Sequence, residues 1–116
     1  MAPCYLADID LAGAATPDNI IFGETTWVSG HKNTGPSTVE TSAYEVMDEL
    51  MNYYLDTSKF PALEVVMFAG HSAGGQMTQR YAALRKSAAG EDRIHYWVGT
   101  LFFFSLIRST LNAVIM

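Results

Sequence analysis

The sequence predicts an α/β fold built on a parallel sheet, and three observations carry that reading. Leu63 to Ala69 is apolar apart from Glu64, the pattern of a short strand buried on both faces. Arg93 to Val98 is rich in β-formers and reads as a second strand. Between them, Gln76 to Lys86 lacks glycine and proline and repeats Met77, Tyr81 and Leu84 at helical spacing. Strand, helix and strand joined by short loops make a parallel pair, with Leu63 to Ala69 central and Arg93 to Val98 beside it.

The elements follow in chain order. Pro3-Cys4-Tyr5-Leu6 reads as the end of a strand. Asp8 to Glu40 is a long irregular stretch punctuated by Gly13, Pro17, Gly23, Gly30, Gly35 and Pro36, with a short strand at Ile20-Ile21-Phe22. Ser42 opens a helix over about 43–56. Ser42-x-x-Glu45 fits a capping box, in which the serine accepts from an orphan N–H and the glutamate reaches back. Met47, Leu50, Met51 and Tyr54 give that helix one apolar face, and its methionines read as core filler. Ser58 to Pro61 ends it and leads into the first buried strand. A second helix is expected over about 74–86, then a polar loop from Ser87 to Asp92 with Gly90.

Composition narrows the function classes. The chain has 116 residues, 49% of them hydrophobic and 16% charged, which is a globular composition of one domain or less. The net charge of −5 comes without a Lys/Arg cluster, so no row of phosphates could be neutralised and nucleic acid is not an expected partner. The single cysteine, Cys4, excludes an internal disulfide and a Cys-rich zinc site, and reads as a small buried residue. No cofactor or metal motif is present. Met1 to Ala7 contains no basic residue, and Asp8 and Asp10 interrupt any apolar run, so no signal peptide is expected.

Residues 98–116 change character, with Phe102-Phe103-Phe104 and ten Val, Leu, Ile or Phe residues. As a membrane span these contribute about −3 to −6 kcal/mol, and Arg108 near the centre takes back about 2.5–3.5. The balance is near zero, so a spanning helix and membrane association are allowed but not favoured over a packed or disordered apolar tail.

The segment richest in chemistry is Gly70-His71-Ser72-Ala73-Gly74. Three fixed positions at roughly 7% each would recur by chance in about 4% of chains this short. An apolar strand before it and a helix after it set this copy apart from a glycine-rich turn. Together they present a serine at the tip of a strand as a nucleophile elbow. Ser72 is then expected in a strained backbone conformation, with Gly70 and Gly74 small because a side chain there would strike the turning backbone. The N-terminus of the following helix faces the serine, and the Ala73 N–H is a candidate oxyanion donor.

These residues resemble the α/β-hydrolase fold, and most closely a group of largely uncharacterised fungal members. The resemblance runs from about Ala2 to Val98. It includes Ala2-Pro3-Cys4-Tyr5, Trp27 with Gly30, Ser42-Ala43-Tyr44-Glu45-Val46-Met47-Asp48, Phe60-Pro61, and the elbow with Gly75-Gln76 and Gln79-Arg80-Tyr81-Ala82. It implies a partial α/β-hydrolase domain over 1–98, in three α/β/α layers, with 99–116 as a tail that does not match. It also implies a serine hydrolase acting on ester-type or related acyl bonds of a small-molecule substrate, with no cofactor. Ser72 would be the nucleophile, Ala73 an oxyanion donor, and an acid and a histidine would follow in that order.

After Ser72 the only acids are Glu91 and Asp92 and the only histidine is His95, all within one short stretch. In the resembling fold the acid and the histidine come from two separate later loops. His95 therefore reads as a strand residue, His71 as a spacer in the elbow, and His31 as a solvated loop residue. The loop that supplies a second oxyanion donor has no counterpart. The expectation is a slice of a hydrolase domain, inactive as it stands, with no acid or histidine of a triad identified. The alternative is a small non-catalytic protein, membrane-associated through its tail, that keeps the elbow as a relic.

Overall fold

The computed structural model describes residues 6–10, 16–99 and 113–115. Cys4, the strand end at Pro3 to Tyr5 and the phenylalanine run at 102–104 lie outside them. The described elements are β1 (Leu6–Ala7), β2 (Ile21–Phe22), a 3-10 turn at Trp27–Ser29, α1 (Ala43–Leu55), β3 (Val66–His71), α2 (Ala73–Leu84), a 3-10 turn at Glu91–Arg93, β4 (Ile94–Gly99) and β5 (Ala113–Ile115). Among the described residues the protein is α/β, with two α-helices and every pair of these strands parallel. It forms two compact units, Met1–Val46 and Met47–Met116, and the boundary falls inside α1.

In the first unit, β1 and β2 pair in the register Leu6 to Ile21 and Ala7 to Phe22. The short strand expected around Ile21 is therefore present, and Ile21 and Phe22 are buried. The rest of the long irregular stretch satisfies its backbone through turns and side chains. Asp8 accepts from the Glu24 N–H at 2.8 Å. The Ile21 carbonyl accepts from the Thr34 N–H at 2.7 Å. Gly30 ends the 3-10 turn at φ 72°, and a Cβ there would fall 2.5 Å from the Tyr44 ring. Both the left-handed backbone and the aromatic neighbour require glycine.

The capping box forms as expected. The Glu45 N–H donates to Ser42 Oγ at 3.1 Å, and the Ser42 N–H donates to the Glu45 carboxylate at 2.7 Å. The bond from the Ser42 N–H, aided by the Ser42 hydroxyl, holds the Glu45 carboxyl below its ordinary range. The helix ends at Leu55, and the Asp56 carbonyl closes the following turn by accepting from the Lys59 and Phe60 N–H groups.

In the second unit the sheet order is β3-β4-β5. The β3–β4 pairing runs in register from Val66 opposite Ile94 to His71 opposite Gly99. Parallel pairing of these two segments matches the sequence reading, but three details differ. The first strand starts at Val66 instead of Leu63 and extends through the elbow glycine to His71. Among the described residues it is the end strand of this sheet, and β4 occupies the middle, because β5 pairs with the far side of β4. Nor is it buried on both faces: Val66 is buried, whereas Val65 and Met67 are 48% and 57% exposed. An uninterrupted apolar run does not reveal whether both faces of a strand find cover.

One face of the sheet is covered by helix α2. Tyr81 is fully buried, its ring centroid 5.0 Å from that of Phe68 and 6.4 Å from that of Tyr96. Met77 and Thr78 are buried with it, and Ile94, Tyr96 and Val98 complete this core. The opposite face carries Met67, Ala69 and His71, and no helix lies on it among the described residues. Of the three layers expected from the resemblance, the described residues of the second unit show the sheet and α2 on one side of it.

A polar junction ties α1, α2 and the turn before β4 together. The Arg85 side chain is 2% exposed. It donates to Asp48 at 2.6 Å, to both Glu91 oxygens at 3.1 Å and to the Tyr81 hydroxyl, which in turn donates to Asp48 at 2.8 Å. Arg93 donates to the carbonyls of Leu63 and Leu55. Nearby, Tyr96 is 2% exposed, and its hydroxyl has no hydrogen-bond partner among the described residues. Burial, aided by the Glu91 carboxylate, pushes its pKa up to about 12.

The described end of the tail packs, as a strand rather than a helix. Ala113–Ile115 forms β5, a short strand parallel to β4, with Tyr96 opposite Ala113 and Val98 opposite Ile115. The β-branched pair Val114-Ile115 was the available signal, and the hydropathy of the whole segment masked it. Among the described residues no helix is long and apolar enough to cross a membrane.

Candidate functional site

The site is the connection between β3 and α2. His71 is the last residue of β3 and Ala73 the first of α2, leaving Ser72 alone to turn the chain. Its backbone sits at φ 55° and ψ −122°, and it is the one non-glycine residue at positive φ among those described. That conformation belongs to glycine and strains any residue with a Cβ. Ser72 is exposed. No hydrogen bond reaches its hydroxyl among the described residues.

Backbone hydrogen bonds lock the turn from both sides. The Ser72 N–H donates to the Gly99 carbonyl at 2.8 Å, extending the β3–β4 ladder by one residue. The Ser72 carbonyl accepts from the Gln76 N–H at 3.0 Å, the first intrahelical bond of α2. The Ser72 amide is therefore committed to the sheet. The Ala73 N–H lies in the first turn, ahead of any intrahelical acceptor, at the positive end of the helix dipole. Of the two amides flanking the serine oxygen, Ala73 is the one available to an oxyanion.

The glycines divide by role. A Cβ on Gly70 would lie 2.2 Å from the Gly74 carbonyl oxygen and 2.5 Å from Thr78 Oγ1, so the strand and helix can cross only if residue 70 has no side chain. The reason given from sequence for Gly74 does not hold, because a Cβ there meets nothing within 4 Å. The glycine that brings α2 close to β4 is Gly75, where a Cβ would come 3.0 Å from the Gly99 carbonyl oxygen. The sequence reading missed that role. Two adjacent glycines after the serine were the visible sign, but which of them faced the neighbouring strand depended on the crossing of helix and sheet.

Within the second unit, His71 is next to the serine in the chain and His95 is not brought to it. His95 lies in β4 as expected, opposite Met67, five residues before Ser72. At about 3.3 Å per residue that is roughly 16 Å along the strand. Asp92 lies further back, in the turn before β4. His71 adjoins Ser72 in the chain, and its ring packs near Gly99, 3.2 Å from where a Cβ would stand. His31 belongs to the first unit, where its backbone carbonyl accepts from the Ala43 N–H at 3.1 Å. No cluster of three or more His, Cys, Asp or Glu side chains able to hold a metal occurs among the described residues.

The arrangement offers an exposed hydroxyl on a strained turn, at the C-terminal end of a parallel strand, beside a free amide at a helix N-terminus. Chemically that suits attack on an acyl carbon with the resulting oxyanion held by Ala73, provided a base removes the serine proton. No protein-family model matches the chain, and no curated protein or solved structure is significantly similar to it.

Proposed function

We propose that the β3–α2 connection is the nucleophile elbow of an α/β-hydrolase-type serine hydrolase acting on ester or related acyl bonds. Ser72 is the nucleophile and the Ala73 amide an oxyanion donor. The observation that carries this reading is Ser72 at φ 55° and ψ −122°, with Gly70 blocked against the Gly74 carbonyl. A structural turn at this point would be more stable with glycine at residue 72, so a serine held there at a cost is a sign of use. Placement at the C-terminal end of a parallel strand, where open α/β sheets bind ligands, supports the same reading.

The register of β4 limits what these residues do by themselves. His95 stands roughly 16 Å along the sheet from the serine. An unassisted serine hydroxyl is a weak nucleophile, and losing the triad base costs on the order of a millionfold in turnover. The residues described therefore supply the nucleophile and one oxyanion donor, and hydrolysis of short p-nitrophenyl esters should be negligible and the same for the native chain and Ser72→Ala. The same register favours a second reading, a non-catalytic protein that keeps the elbow as a relic.

A fluorophosphonate probe, read by mass spectrometry, separates the two. The hydrolase reading expects slow, stoichiometric labelling at Ser72 that Ser72→Ala abolishes. Absence of labelling in a folded sample overturns it in favour of the relic. A burst of nitrophenol that disappears in Ser72→Ala would show that a base does reach the serine.

A further inference from the structure

We draw no further inference here: the strongest candidate, the exposed face of the β3–β4 sheet around Val65, Met67 and Ala69, carries nothing, because nothing in the structure shows what covers it.

Discussion

At Ser72 the local preference of the chain and its folded conformation disagree. A residue with a Cβ at φ 55° and ψ −122° costs roughly 1–3 kcal/mol. Ser72→Gly should therefore raise stability by about 1 kcal/mol, whereas Ser72→Ala, which keeps the Cβ, should not. Gly74→Ala should also stabilise, by about 0.5–1 kcal/mol, since its Cβ meets open space in a helix. Gly70→Ala should do the opposite and cost upwards of about 2 kcal/mol, because its Cβ meets a backbone oxygen that cannot swing away. Urea midpoints of the four variants check the set, and equal midpoints for Gly70→Ala and Gly74→Ala would contradict the geometry of the turn. Tyr96 adds a pH dependence. Its hydroxyl ionises near 10 when unfolded and only near 12 in the fold, so the neutral form is favoured by burial. The stability it contributes is present in full below pH 10 and is lost as pH rises from 10 towards 12. Denaturation measured across that range should show this alkaline loss, and Tyr96→Phe should reduce it, leaving the part due to Tyr81, whose hydroxyl burial and Asp48 also push up.

Among the elements, α1 and α2 are held by different means. The start of α1 is set locally by the Ser42 and Glu45 capping box, four residues of sequence that satisfy one another. The far end of α2 is set by Arg85, whose partners Asp48 and Glu91 come from α1 and from the turn before β4. The guanidinium is buried, while Asp48 and Glu91 keep 39% and 30% of their side chains exposed. Arg85→Met should cost about 2–3 kcal/mol, because it leaves two carboxylates facing one another without their cation. Asp48→Asn should cost less, about 1 kcal/mol, since water already screens that carboxylate. Thermal unfolding of the two variants orders them, and a larger loss for Asp48→Asn would show that the junction is not centred on Arg85.

For the molecule as a whole, the question is what its apolar surface does. In the second unit the β3–β4 sheet has one face packed by α2 and another on which Met67 is 57% exposed. As the end strand among those described in its sheet, β3 carries no charged or proline residue from Val66 to Gly70. Long flat edges without such guards pair with other chains. The isolated chain should aggregate at micromolar concentration or remain partly ordered, and a sharp calorimetric peak from a monomer would contradict this. Met67→Lys, which places a charge on the exposed face, should reduce light scattering while changing folding stability by less than about 0.5 kcal/mol.

What the sequence determined by itself is what short-range chemistry can settle. Two amphipathic helices, the capping box, the short strand around Ile21, the β-rich segment at Ile94 to Val98 and the strand–serine–helix turn each depend on neighbours within a few residues. Their signals are therefore written locally. The tertiary structure decided everything that depends on which face meets which neighbour. It made β4 the middle strand, left β3 exposed on one side, and recruited Ala113–Ile115 as a third strand. It moved the steric requirement from Gly74 to Gly75 and set His95 opposite Met67, well away from Ser72. The physical reason is common to all of these. Periodicity records that a residue is apolar or small, but burial, register and close approach are properties of pairs of segments distant in the chain, and no single segment carries them.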